Sequence, residues 1–177
     1  MRDYKVPANK AALRAASHDK CMYCESKISH TDFGDIEHHR PKAKFPHFAF
    51  SWDNLGFVCG RCNNSKSDKW SDHTPFVDPF SDDPSDHLAA LGEWVFHCNG
   101  SERGEYTWRE IGLNRPELIE RRGERIKAIR DLLDKVARTQ NAALSSLIVR
   151  ELEAELLDDK EFSMVCRAAY RQLRRTT

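Results

Sequence analysis

The chain has 177 residues, 28 basic side chains balanced by 28 acidic ones, and six cysteines. That length suits one ordinary domain, or a small metal-stapled module with a helical extension, and it can bury a real core. Whole-chain charge argues neither for nor against a polyanionic partner. No apolar run approaches the roughly 18 residues of a membrane span, and the opening Met-Arg-Asp-Tyr-Lys has no apolar signal-peptide core; the expected address is the cytoplasm.

Charge is unevenly placed, with 12 basic and 8 acidic side chains in residues 1–70, 10 and 14 in 71–139, and 6 and 6 in 140–177. The mild positive bias falls where an enzyme acting on phosphates would want it. In a reducing compartment two CxxC pairs read as metal ligands and not as disulfides. Cys98 and Cys166 have no partner at ligand spacing and are expected to be small buried apolar residues.

In chain order, residues 8–17 are strong helix formers behind Pro7, with Ala12, Leu13 and Ala16 on one face. Cys21-Met-Tyr-Cys24 then has the gap at which a tight turn aims two sulfurs at one ion. Residues 30–34 are polar and turn-like. Residues 35–39 read as a short strand that Pro41 ends. Residues 45–57 hold Phe45, Phe48, Phe50, Trp52 and Phe57 and are expected to be a loop and strand wrapping a site. These aromatics could stack on bases, but a zinc-stapled unit needs core, and core is the expectation. Cys59-Gly-Arg-Cys62 is the second knuckle, and a helix is expected to start within 63–70, completing a ββα unit.

Residues 71–92, rich in Asp and Pro, predict a structured loop. The runs 93–98 and 105–109 are β-prone and predict a hairpin across a long turn. From Asn114 the pattern is helical, with capping-box-like spacing of Asn114 and Glu117, Pro116 in the first turn, and apolar residues at Leu118, Ile119, Ile126, Ile129, Leu132, Leu133 and Val136. A second helix carries Leu144, Leu147, Ile148, Leu152 and Leu156. A third, over 159–175, places Phe162, Val165, Cys166, Ala169 and Leu173 on one side. These faces are expected to be core. The organisation expected is a zinc-stapled unit with its N-terminal helix over 1–70, a loop and hairpin over 71–113, and helices over 114–177, packed as one domain.

Cys21, Cys24, Cys59 and Cys62, with 34 residues between the pairs, predict an all-thiolate structural Zn2+ site, closed to substrate. Glu37 and His38 lie within the gap. Phosphodiester cleavage needs a water deprotonated near neutral pH, which suits imidazole, and a divalent ion to neutralise charge on phosphate and leaving oxygen. Mg2+ or Mn2+ prefers oxygen donors, which Glu37 and the Asn63 side chain can supply. Asp35, two residues before Glu37 and on the same strand face, is an accessory candidate, though a solvated carboxylate is the plainer expectation. Because Glu37 and His38 alternate on a strand, a bend is expected there. His47, His73, His87 and His97 have no motif around them.

Glu37-His38-x-x-Pro41, Asn54-Leu55 and Cys62-Asn63-x-x-Lys66 between two CxxC knuckles resemble the motif of HNH endonucleases, in the variant whose last His is Asn. The resemblance implies a ββα-metal unit stapled by four cysteines; with the β-hairpin and C-terminal helical region read from the residues, the expected fold is α+β. It implies His38 as general base, Glu37 and Asn63 as ligands of the catalytic Mg2+ or Mn2+, and Asn54 as the residue fixing the loop that carries the base. Arg40, Lys42 and Lys66 would meet phosphates. Ile111-Gly-Leu-Asn-Arg115 and Phe76-Val-Asp-Pro extend the likeness to the HNH component of Septu-type and retron-associated anti-phage systems. That component works with an ABC-type ATPase on nucleic acid, here expected to be DNA. His39 is the competing imidazole, and register to Pro41 selects His38. The competing reading of the whole is a non-catalytic four-cysteine zinc module that binds nucleic acid or a protein. Helices docking on an ATPase that licenses cleavage would be compatible with the enzyme reading.

Overall fold

The computed structural model describes residues 6–28 and 33–175. Residues 30–32 of the expected turn lie outside the described residues. The chain divides into two compact units, Met1–Leu88 with Phe96–Leu113, and Ala89–Val95 with Asn114–Thr177.

The first unit carries the predicted ββα. Helix α1 (Pro7–Ala16) starts at Pro7, whose missing N–H costs nothing in a first turn, and buries Leu13. Strand β1 (Asp35–His38) pairs antiparallel with β2 (Leu55–Val58), Asp35 facing Val58 and His38 facing Leu55. Every residue of β2 is buried. Gly34 enters β1 at φ +65°, where a Cβ would stand 2.4 Å from the Phe57 ring. Gly56 has no side chain because Met22 of the first knuckle lies on the strand there, its sulfur 2.2 Å from where a Cβ would sit. Helix α2 (Gly60–Lys66) follows β2 directly. It begins earlier than expected because Cys59 is its N-cap, with a carbonyl that accepts the Asn63 amide.

The Asp- and Pro-rich stretch is a structured loop held by specific bonds. The Phe80 amide donates to Asp78, Arg103 pairs with Asp82 at 2.5 Å, and the Val77 amide donates to the Thr107 hydroxyl at 2.8 Å. The hairpin differs from the sequence expectation. It is formed by β3 (Leu88–Leu91) and β4 (Trp94–His97), turning at Gly92 with φ +56°. The run 105–109 is instead part of helix α3 (Glu102–Ile111). Ser101 caps that helix by accepting the Gly104 amide, Glu102 and Glu105 lie in its first turn, and Gly112 ends it in the left-handed region. Those end signals outweigh the β-propensity of Tyr106, Thr107 and Trp108.

The second unit holds the three expected helices, α4 (Pro116–Arg138), α5 (Ala142–Ala154) and α6 (Ser163–Arg175). Leu118, Ile126, Ile129, Leu132, Leu152, Phe162, Val165, Cys166 and Ala169 are buried as expected. Leu144 and Leu147, expected in the core, are exposed. Asn114 is not a cap; its side chain bonds both ways with the Val95 backbone, and Arg115 is the N-cap. Arg122 is buried, reaching the Glu93 carbonyl and Asn114 with its guanidinium 5.5 Å from the Phe162 ring. Cys98 is only half-buried. Among the described residues no helix is long and apolar enough to cross a membrane.

Candidate active site

The first unit brings four sulfurs together. The Sγ atoms of Cys21, Cys24, Cys59 and Cys62 all lie within 4.8 Å of one another, with Cys24 and Cys59 at 4.0 Å. A tetrahedral ion with Zn–S bonds of about 2.3 Å requires sulfurs about 3.8 Å apart, so the donor set fits zinc. The first knuckle is closed by the Cys21 amide on the Ser26 carbonyl and by Glu25 at φ +61°, and the Met22 amide ties it to Phe57 of β2. The second is the N-cap and first turn of α2. An ion held here would pin the loop before β1 to the helix after β2. Burial pushes the Cys21 thiol well above its ordinary pKa, while a hydrogen bond with Cys21 holds Cys24 well below.

Beside this cluster lies a cleft of ≈ 630 Å³ whose lining includes Asp35, Glu37, His38, Lys42 and Asn63, together with Lys10 and Asp68. Asp35 and Glu37 project from one face of β1, and Asn63 meets them from α2, its Nδ2 donating to Asp35 at 2.9 Å. That bond orients the amide and leaves its oxygen as the group offered to a cation. Glu37 is 4% exposed, and its Oε1 lies 2.5 Å from Lys66 Nζ. Burial raises the Glu37 pKa, against the opposing pull of the Lys66 charge.

His38 ends β1, just before the chain turns toward Pro41, and it lines the same cleft as Glu37 despite the strand alternation. Its Nε2 is 3.0 Å from the Ala49 carbonyl. A carbonyl only accepts, so Nε2 carries the proton and Nδ1 of the neutral ring carries the lone pair. Burial lowers the His38 pKa, with the Lys42 and Lys66 charges adding to it. Asn54 holds the intervening loop, accepting the Arg40 amide at 2.7 Å and donating to the carbonyls of Arg40 and Phe48 at 3.1 and 3.2 Å.

Three expected residues lie elsewhere. His39 faces away from the cleft, its Nε2 3.1 Å from the Phe76 carbonyl and its ring edge-on to Trp70 at 5.4 Å. Arg40 is exposed over Phe48, lining a separate cleft of ≈ 500 Å³ with His39 and Trp70. Lys66 is 0% exposed, donates to the His38 carbonyl at 3.0 Å and pairs with Glu37; it supports the site from within and does not line the cleft. Of the three expected phosphate contacts only Lys42 lines the cleft. The Ala49 carbonyl and Lys10 were not legible, because neither a backbone acceptor nor an isolated lysine on another helix leaves a sequence signal.

Comparison with known proteins matches the stretch of chain that carries this site. Residues 21–69 match the HNH endonuclease family model. The chain is 30% identical over 182 residues to the Septu protein PtuB of Bacillus mycoides (strain KBAB4), covering 85% of this chain and 61% of that one. It is 30% identical over 129 residues to the Septu protein PtuB of Bacillus thuringiensis, covering 65% of this chain and 50% of that one. The chain thus spans between half and two thirds of the length of these relatives.

Proposed function

Because residues 21–69 carry an HNH endonuclease domain, we propose that the protein hydrolyses phosphodiester bonds of nucleic acid, DNA foremost, with a divalent ion in the cleft between β1 and α2. The observation that carries this reading is the convergence of Glu37, Asn63 and His38 on one cleft, with His38 tethered through Nε2 so that Nδ1 is the basic nitrogen. His38 takes a proton from the attacking water. Its lowered pKa keeps the ring neutral, and so competent as a base, at neutral pH. Glu37 and the Asn63 oxygen would hold Mg2+ or Mn2+, an ion that neutralises charge on the phosphate and leaving oxygen when bound.

Asn54 fixes the loop from Arg40 to Phe48 and thereby the Ala49 carbonyl that orients His38. Lys66 keeps Glu37 ionised and aimed, and ties the His38 backbone to α2. Lys42 meets the substrate phosphate at the mouth of the cleft. The four thiolates hold Zn2+ and contribute no open position to the chemistry. His39 serves packing, which supports His38 as the base. The likeness to two Septu proteins supports a role in anti-phage defence, with an ABC-type ATPase as partner in the cytoplasm.

The test is cleavage of supercoiled plasmid with Mg2+ or Mn2+, alone and with an ATPase encoded beside the gene. Wild type is expected to nick or cut and His38→Ala to do neither. Identical behaviour of the two proteins under both conditions would refute the assignment.

A further inference from the structure

The aromatic residues of the loop between β1 and β2 divide into two sets. Phe57 is buried and Phe45 and Phe48 are half-buried, whereas Phe50 and Trp52 are 53% and 49% exposed. These two flank Ser51 immediately after Ala49, whose carbonyl orients His38. The same loop carries Arg40, Lys42 and Lys44, all exposed, against a single carboxylate at Asp53. One wall of the catalytic cleft is built from its residues Pro41, Lys42 and Ala43. The loop is irregular, yet the side chain of Asn54 pins it at Arg40 and Phe48.

From this arrangement we infer that Phe50 and Trp52 form a stacking platform for unpaired nucleotides next to the scissile phosphate, so that the preferred substrate is single-stranded or locally unpaired nucleic acid. The inference rests on the nuclease reading above and adds a substrate class to it. The positive balance of the loop selects a polyanion over an apolar protein face. Within a duplex, neighbouring bases already cover one another's π-faces, so a fixed Phe or Trp gains a base to stack on only where pairing is absent. Stacking of a base on one aromatic side chain is worth roughly tenfold in affinity. A loop already fixed by Asn54 loses little freedom on binding, which keeps that gain.

The experiment uses the full chain, zinc-loaded, with Ca2+ replacing Mg2+ to hold off cleavage. Fluorescence anisotropy compares a labelled single strand without self-complementarity with the same sequence as a duplex. The wild type is expected to bind the single strand more tightly. The Phe50→Ala/Trp52→Ala protein is expected to lose about tenfold or more on the single strand and to leave duplex binding unchanged. Both positions are exposed, so the variant is expected to fold; the control is Mn2+-dependent hydrolysis of bis(p-nitrophenyl) phosphate, which carries no nucleobase to stack and is expected to be equal in both proteins. Equal losses on both nucleic acids, no loss on either, or a wild-type preference for duplex would overturn the inference. A wild type that binds the single strand as expected but hydrolyses neither the small diester nor plasmid, alone or with the ATPase, would instead refute the nuclease reading and leave the platform standing.

Discussion

Lys66→Met removes the charge paired with Glu37, and leaves a carboxylate that is 5% exposed at its side chain against a neighbour that was 0% exposed. Breaking a buried pair by deleting one partner costs about 3–5 kcal/mol, because the remaining charge stays desolvated. The loss of a donor to the His38 carbonyl falls within that figure. Methionine keeps most of the volume, so the cost is electrostatic and not a cavity. Adding Glu37→Gln to Lys66→Met neutralises the stranded group and is expected to recover most of the loss. Urea unfolding in saturating Zn2+ measures all four corners of this cycle. A Lys66→Met cost below about 1 kcal/mol, the level of an exposed pair, or no recovery in the double variant, would refute the placement of Lys66 inside the site.

Asn54→Ala removes the side chain that pairs with the Arg40 amide and carbonyl and one of two donors to the Phe48 carbonyl, which keeps the Ser51 amide; at about 1 kcal/mol per bond it is expected to lower stability by about 2–3 kcal/mol and kcat more than KM, read by urea unfolding and steady-state hydrolysis. Under the proposal that His38 is the base, it must be neutral to act, and its pKa is depressed, so kcat/KM is expected to rise with pH through a midpoint below about 6.5 and then level off. Lys42→Ala, which removes one of the depressing charges, is expected to move that limb upward. The same depression makes the His38 contribution to stability complete above about 6.5 and lost as pH falls through its folded-state pKa. Chelation of zinc, or Cys62→Ser, is expected to abolish cooperative unfolding of the first unit by circular dichroism, with recovery on adding Zn2+ only for the chelated wild type.

The four cysteines, β1 and the order of β1, β2 and α2 were legible because ligand spacing and the Pro41 break are local signals. Asn54 and Asn63 were legible only through motif spacing. The burial of Lys66 was not, since a lysine near a helix end reads as solvated until tertiary packing sets a carboxylate against it. Residues 105–109 misread as a strand because three β-formers in a row masked Ser101 and Gly112, which are the two ends of α3. Asn114 looked like a helix cap, but the β4 backbone at Val95, 19 residues away, engages both its side-chain groups. Leu144 and Leu147 followed helical periodicity yet stand exposed, because periodicity finds a face without showing what covers it.

Under the proposed function, two metal sites with different donors lie side by side, thiolates for structure and oxygens for chemistry. Electron paramagnetic resonance of Mn2+ titrated into zinc-loaded protein tests it most directly. One bound Mn2+ per chain is expected, lost in Glu37→Gln, weakened in Asn63→Ala and retained in His38→Ala. Mn2+ binding that is absent from the wild type, or that survives loss of both Glu37 and Asn63, would contradict it.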